Sequence, residues 1–200
     1  MSERRQVLAE GATNYVLEHG LIDLSLRPLA ASLGTSDRML LYHFKDKSDL
    51  VATVLRVSND RSVAGILALP PSAGVRAAVV DLWRAVSTPS QARCQRLYVE
   101  AAALGVLGAE PFASVMAEAN EVWLGALADH LAVSGVPTAQ SGRAARLVEA
   151  AFMGLHLDLP IEKPAAVRRS VGDLADAVAA LWGSAPKWPI GQPMRCHCGE

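Results

Sequence analysis

From residue 3 to residue 182 apolar side chains return every three or four positions, and glycine or proline cuts the chain between the runs. That spacing lays an apolar stripe along a helix, whereas a half-buried strand alternates at every second residue. No segment shows clear two-residue alternation. Leu8, Ala12, Tyr15 and Val16 share one face of a helix expected over 3–19, stopped by Gly20. Ser25 and Ser36 can each cap a short helix, ending near Leu33 and Phe44, with Pro28 in the first turn of the earlier one. Asp46 can cap a long helix running to about Leu69, where Pro70 and Pro71 end it. Further stripes are Val75–Val79–Leu82–Val86, stopped near Pro89, and Leu97–Ala101–Leu104–Gly108, ending at Pro111. Phe112, Met116, Ala119, Trp123, Ala126 and His130 form a third, closed by Gly135 and Pro137. Helices over about 139–159 and 165–182 complete the set. The expected fold class is all-α with about nine helices. Hydrophobic residues make up 51% of the 200 positions, enough for a core, while aromatics reach only 5%. Abundant Ala and Leu favour helix over strand.

Net charge is −1, so any affinity for nucleic acid must come from a local motif and not from bulk charge. Between Ser25 and Lys47 four basic residues face two acidic ones, a mild positive bias. The three cysteines, Cys94, Cys196 and Cys198, make no regular disulfide framework. The first residues lead into an amphipathic helix and not an apolar leader, and the most apolar stretch, 101–117, is broken by Glu110 and Pro111. A reducing cytoplasm, without membrane insertion, is the expected setting.

The densest signal is SLRPLAASLGTSDRMLLYHFKDKSDL, residues 25–50. Two short helices flank a tight turn at Leu33–Gly34–Thr35–Ser36, and Gly34 suits a left-handed backbone there. Ala30 is small where the helices cross, and Leu29, Leu33, Leu40 and Phe44 can fill the core beneath them. This is a helix-turn-helix, whose second helix can enter a DNA major groove.

The segment resembles the DNA-binding motif of the TetR family in Ser25, Leu29–Ala30, Gly34–Thr35–Ser36, Leu40, His43–Phe44, Lys47 and Leu50. Leu8, Gly11–Ala12, Tyr15–Val16 and Gly20 in the preceding helix match too. The similarity covers about the first quarter of the chain. It departs at Arg38, commonly a small residue; at Leu41, usually aromatic; and at Thr35, usually Val. The first two bear on which sequence is bound. The resemblance implies a DNA-binding transcriptional regulator, a repressor that binds a palindromic operator on double-stranded DNA as a homodimer and is released by a small-molecule effector. By position, Arg27, Asp37, Arg38 and Met39 become candidate base readers, with Asp37 alternatively a helix cap. Ser25, Tyr42, His43 and Lys47 become candidate phosphate contacts, Tyr42 and His43 alternatively packing between helices. Ser36 joins this DNA-facing set. The implied domains are a helix-turn-helix head over 1–46 and a ligand-binding and dimerisation domain over 47–183. The helix over about 46–69 links them, and a lever motion of it is the implied switch.

Beyond residue 69 every stripe is first of all helical core. Trp83, Tyr98, Phe112, Met116, Trp123, Phe152 and Met153 exceed that need in bulk or polarisability, and His156 adds a polar group. The resemblance makes them candidate pocket lining, for a mostly apolar effector because few charges fall on these faces. It also implies dimerisation through the last two helices. Val171, Leu174, Val178 and Leu181 form a narrow seam, and Leu147, Ala151 and Gly154 belong to the partner helix. The alternative is that both stripes face their own subunit.

The chain after Gly183 holds Pro186, Pro189, Gly191 and Pro193, so 184–200 is expected to be extended or disordered. Cys196–His197–Cys198 is spaced too tightly for an ordinary zinc site, and neither metal nor cofactor is expected. No phosphate loop, nucleophile elbow or zinc helix supports an enzyme. The competing reading is a DNA-binding protein with a filled second domain, insensitive to ligand.

Overall fold

A computed structural model describes residues 3–183, and Cys196–His197–Cys198 and the proposed tail lie outside them. Among the described residues there are nine helices and no strand. They are α1 (Glu3–His19), α2 (Leu26–Ser32), α3 (Asp37–His43), α4 (Lys47–Leu67), α5 (Val75–Val86), α6 (Pro89–Val106), α7 (Phe112–Val133), α8 (Thr138–Asp158) and α9 (Pro164–Trp182). No described helix is long and apolar enough to cross a membrane. Local chemistry sets the ends. Ser36 Oγ accepts the Met39 N–H at 3.2 Å, and Asp46 Oδ1 accepts the Asp49 N–H at 2.8 Å. Ser25 occupies the cap position of α2 without a side-chain cap bond, which corrects that expectation and leaves its hydroxyl outside the helix ladder. Pro89 opens α6 where a stop was expected, because Thr88 caps the helix and a proline at the first position sacrifices no hydrogen bond.

Two apolar clusters hold the molecule. One unites α1, α2, α3 and the first half of α4 with Cys94, Leu97 and Ala101 of α6 and Val115 and Met116 of α7. The other joins the end of α4 to α5, α8, α9 and the second half of α7. The core of the head therefore does not stop at residue 46. It continues through α4 into α6 and α7, and α4 and α7 contribute to both clusters.

Candidate functional site

The head is built around fully buried Leu29, Leu40, Phe44, Leu50, Val16 and Ala12. Gly34, at φ +65°, makes the turn between α2 and α3 at no steric cost. α3 is fastened from behind by Arg5 of α1. Its guanidinium donates to the His43 carbonyl at 3.1 Å and to both Asp49 carboxylate oxygens at 3.1 and 2.9 Å, and lies 4.8 Å over the Phe44 ring. Burial pushes the Asp49 carboxyl up, but the Lys45 N–H and Arg5 outweigh it and hold it below its ordinary value. Arg5 thus ties the start of α1 to the end of α3 and the start of α4, a role the sequence reading missed.

With its inner face held, α3 presents Asp37, Arg38, Met39, Leu41 and Tyr42 outward around an open concavity. Tyr42 is 79% exposed, so it does not pack between helices, while half-buried His43 meets its ring edge-on at 5.3 Å. Arg27 and Arg38 are exposed, and neither guanidinium has a partner among the described residues. Asp37 accepts the Arg38 N–H at 2.9 Å, in keeping with its capping alternative. Lys47 is exposed on the same side but donates to the Leu24 carbonyl at 2.5 Å, which pins the α1–α2 loop to the start of α4.

Above the head, a cavity of about 30 Å³ lies between α4, α6, α7 and α8. Leu55, Ser58, Asn59 and Ser62 line it from α4, Cys94, Gln95, Leu97 and Tyr98 from α6, Met116, Ala119 and Trp123 from α7, and Glu149 from α8. Of the eight expected lining residues only Tyr98, Met116 and Trp123 are there. Trp83, Phe152 and His156 instead stack together inside the second core, with ring centroids 5.1 and 4.8 Å apart. Phe112 borders a separate groove with Leu21, Lys47 and Leu104, and Met153 stands behind the wall, accepting from Gln95 Nε2 at 2.8 Å. Among these lining residues one carries a carboxylate. Glu149 is only 8% exposed, and its carboxylate accepts the Trp123 indole N–H at 2.6 Å. Burial pushes its pKa up, against the lowering effect of that hydrogen bond. Burial and the Glu149 charge likewise raise the Tyr98 hydroxyl.

The head and the cavity share α6. On one side of it, Glu100 accepts the Leu21 N–H at 2.5 Å and the Ile22 N–H at 3.2 Å. Arg96, one turn earlier, donates to the Leu17 carbonyl at 2.8 Å. Gly20, at φ +89°, lets the chain turn directly over Glu100, where a Cβ would meet the carboxylate at 3.2 Å.

The expected dimer seam needs revision. Val171 and Val178 are 4% and 0% exposed, packed in the second core, so the α9 stripe faces its own subunit there. Leu174 is half-buried against the same core and Leu181 is exposed. On α8 the outward residues are Leu147, Ala150, Gly154 and Leu157, with Ala151 half-buried beside them. Their steps of three, four and three make a narrow exposed stripe centred on small side chains.

One further polar cluster bears on the enzyme alternative. Ser72 Oγ donates to Asp81 at 2.8 Å and lies 3.3 Å from buried His130 Nε2, while Ser134 Oγ accepts the Ser72 N–H at 3.0 Å. The carboxylate contacts the serine and not the histidine, so it cannot orient the imidazole as a general base. The cluster fastens the α4–α5 loop to the end of α7.

No family model matches the chain, and no curated protein does. Solved structures do. A transcriptional regulator from Rhodococcus sp. Rha1 superposes with a TM-score of 0.74 at 19% identity, over 91% of this chain and 99% of that one. A TetR-family transcriptional regulator from Rhodococcus sp. gives 0.68 at 22% identity, over 92% and 100%. The chain has the TetR-family fold. A transcriptional regulator from Saccharomonospora viridis in complex with choline gives 0.68 at 19% identity, over 92% and 100%. Within this TetR-type fold, Glu149 is the site residue that sequence could have revealed. Ala145, Val148 and Phe152 mark the inward face of α8, and Glu149 falls inside it. A carboxylate on a buried helix face is a stronger signal than another aromatic.

Proposed function

We propose that the chain is a DNA-binding transcriptional regulator acting as a homodimer, a repressor released by a small ligand. The observation that carries the DNA-binding reading is α3. Its inner face is locked by Leu40, Phe44 and Arg5, and its outer face holds an unpartnered Arg38 beside Met39 and Tyr42. A rigid short helix offering a guanidinium suits readout of guanine edges. Ser25, Ser36, His43 and Lys47 are its candidate backbone contacts, and Arg27 of α2 is a further candidate base reader. The TetR-type fold supports the same assignment.

The dimer reading rests on the outward α8 stripe of Leu147, Ala150, Gly154 and Leu157, with Leu181 of α9 exposed as well. A second copy applying the same stripe around a two-fold axis buries both at once and sets two heads against a palindromic site. Ligand control rests on the cavity between α4, α6, α7 and α8. At about 30 Å³ it is far smaller than the roughly 150 Å³ cavity that takes a benzene-sized molecule, so a ligand must enlarge it. That enlargement is what could move the helices that reach the head.

The test is selection of bound sequences from random DNA by the full chain, followed by fluorescence anisotropy on the enriched site. Enrichment of an inverted repeat is expected. Retention of no sequence above a random pool at moderate salt refutes the reading.

A further inference from the structure

Among the described residues Glu149 is the one carboxylate lining the cavity, and no Lys, Arg or His of them lines it. The Trp123 indole N–H is its sole hydrogen-bond partner among the described residues. An ionised carboxylate removed from water costs several kcal/mol unless a cation or a full set of donors answers it, and one indole N–H is not such a set. Trp123, Tyr98, Met116, Ser58, Asn59 and Ser62 line the same cavity. Aromatic faces attract cations through the ring quadrupole, and hydroxyl and amide oxygens accept from ammonium N–H groups. The lining therefore supplies negative charge, π faces and acceptors, and it lacks a positive charge of its own.

We propose that the cavity receives a small organic cation, an amine or quaternary ammonium compound, whose positive nitrogen pairs with the Glu149 carboxylate between Trp123 and Tyr98. The proposal rests on the ligand-controlled reading above and gives that ligand a chemical class. Charge pairing favours the ionised carboxylate, while Trp123 keeps its oxygen oriented. A neutral molecule of the same shape gains the apolar contacts but leaves the carboxylate unanswered, so discrimination follows from charge and not from size.

The test uses two matched pairs on the full chain: choline against 3,3-dimethylbutan-1-ol, and benzylammonium against benzyl alcohol. Binding is read by tryptophan fluorescence and calorimetry near neutral pH, for the parent protein and for Glu149→Gln. At least one cation is expected to bind at least tenfold more tightly than its neutral partner, and Glu149→Gln is expected to abolish that preference. The variant's circular dichroism and melting curve establish that it is folded. Should it not fold, Trp123→Phe provides the second arm, since losing the orienting N–H is expected to weaken the cation more than the alcohol. Equal affinity for cation and neutral partner, or no binding by either cation, overturns the proposal. So does undiminished cation preference in a folded Glu149→Gln. The same compounds added to the protein bound to its selected DNA separate the two readings. Release by a neutral compound alone would sink the cation and leave ligand control standing. Cation binding that never alters DNA affinity would sink ligand control and leave the cation site standing.

Discussion

Replacing Glu100 by Ala removes the contact that holds the α1–α2 loop onto α6. The carboxylate, whose side chain is 15% exposed, accepts two backbone N–H groups, from Leu21 at 2.5 Å and Ile22 at 3.2 Å. A hydrogen bond to a charged partner contributes about 1.5–3 kcal/mol, most of which returns as a penalty if the donor is left dry. Ile22 lies at the surface and its N–H can turn to water, whereas buried Leu21 cannot replace its acceptor as easily. The expected loss is therefore nearer one such bond than two, about 2–3 kcal/mol. For a chain of this length that is a melting-point drop of roughly 4–12 °C. Glu100→Gln keeps an acceptor oxygen and loses the charge, so about half the drop is expected. Thermal unfolding by circular dichroism reads the magnitude, and hydrogen exchange at the Leu21 and Ile22 amides reads the place. A Glu100→Ala protein that melts within about 1 °C of the parent, with those two amides equally protected, refutes the reasoning.

The revised dimer face predicts that Leu147→Glu combined with Leu157→Glu raises the dimer dissociation constant about a hundredfold or more, near 3 kcal/mol, seen by light scattering over a dilution series; an unchanged dimer would exclude the α8 stripe. Arg38→Ala is expected to lose ~1–3 kcal/mol at particular base pairs, while Lys47→Ala weakens selected and random DNA alike and flattens the salt dependence, both read by anisotropy. Because burial raises the Glu149 pKa, its contribution to stability is complete below the ordinary value of 4.5 and is lost as pH rises through the raised value. The melting point of the parent minus that of Glu149→Gln should accordingly fall as pH rises above about 4.5, and a flat difference would mean the carboxyl is not burdened by burial.

The helices and the head were legible because their signals are local. A cap, a glycine at positive φ and a three-four apolar period need no knowledge of distant residues, and Ser36, Gly34 and Leu40 behave as those rules require. α5 ends at Val86, just before Pro89, but the start of α6 at that proline was not read, because Pro89 could be a stop or a start and Thr88 before it makes it a start. The cavity was much less legible. Periodicity marks which side of a helix turns inward but not which neighbour it meets, so Trp83 and Phe152 were grouped with Trp123 although they serve different places. The α9 stripe shows the same limit. Val171 and Val178 have the spacing of an intersubunit seam, and the packing of α5 against α9 consumes it inside one chain. The grips of Arg5, Arg96 and Glu100 on the head were invisible because the backbone groups they hold lie at least 38 residues away in sequence, which no local pattern encodes.

These long-range contacts give the cavity two physical routes to α3. Through α4, Leu55, Ser58, Asn59 and Ser62 line the cavity while Lys47 at the other end grips the Leu24 carbonyl. Through α6, Gln95 and Tyr98 line the cavity while Arg96 and Glu100 grip the end of α1 and the loop after it. From α1 the connection continues through Arg5 to the His43 carbonyl and Asp49, the two ends that frame α3. A ligand larger than the present void must separate α4, α6, α7 or α8, since close-packed helices do not compress. Whichever of α4 and α6 yields, it carries a charged grip on the head with it. Both grips meet in the α1–α2 loop, at Leu24 and at Leu21–Ile22, so unequal movement of the two helices pulls that loop in two directions. The loop precedes α2, and α2 supports α3. Under the ligand-controlled reading proposed above, this route would let the filling of the cavity reach α3 through named hydrogen bonds, without requiring α4 to act alone as a rigid lever.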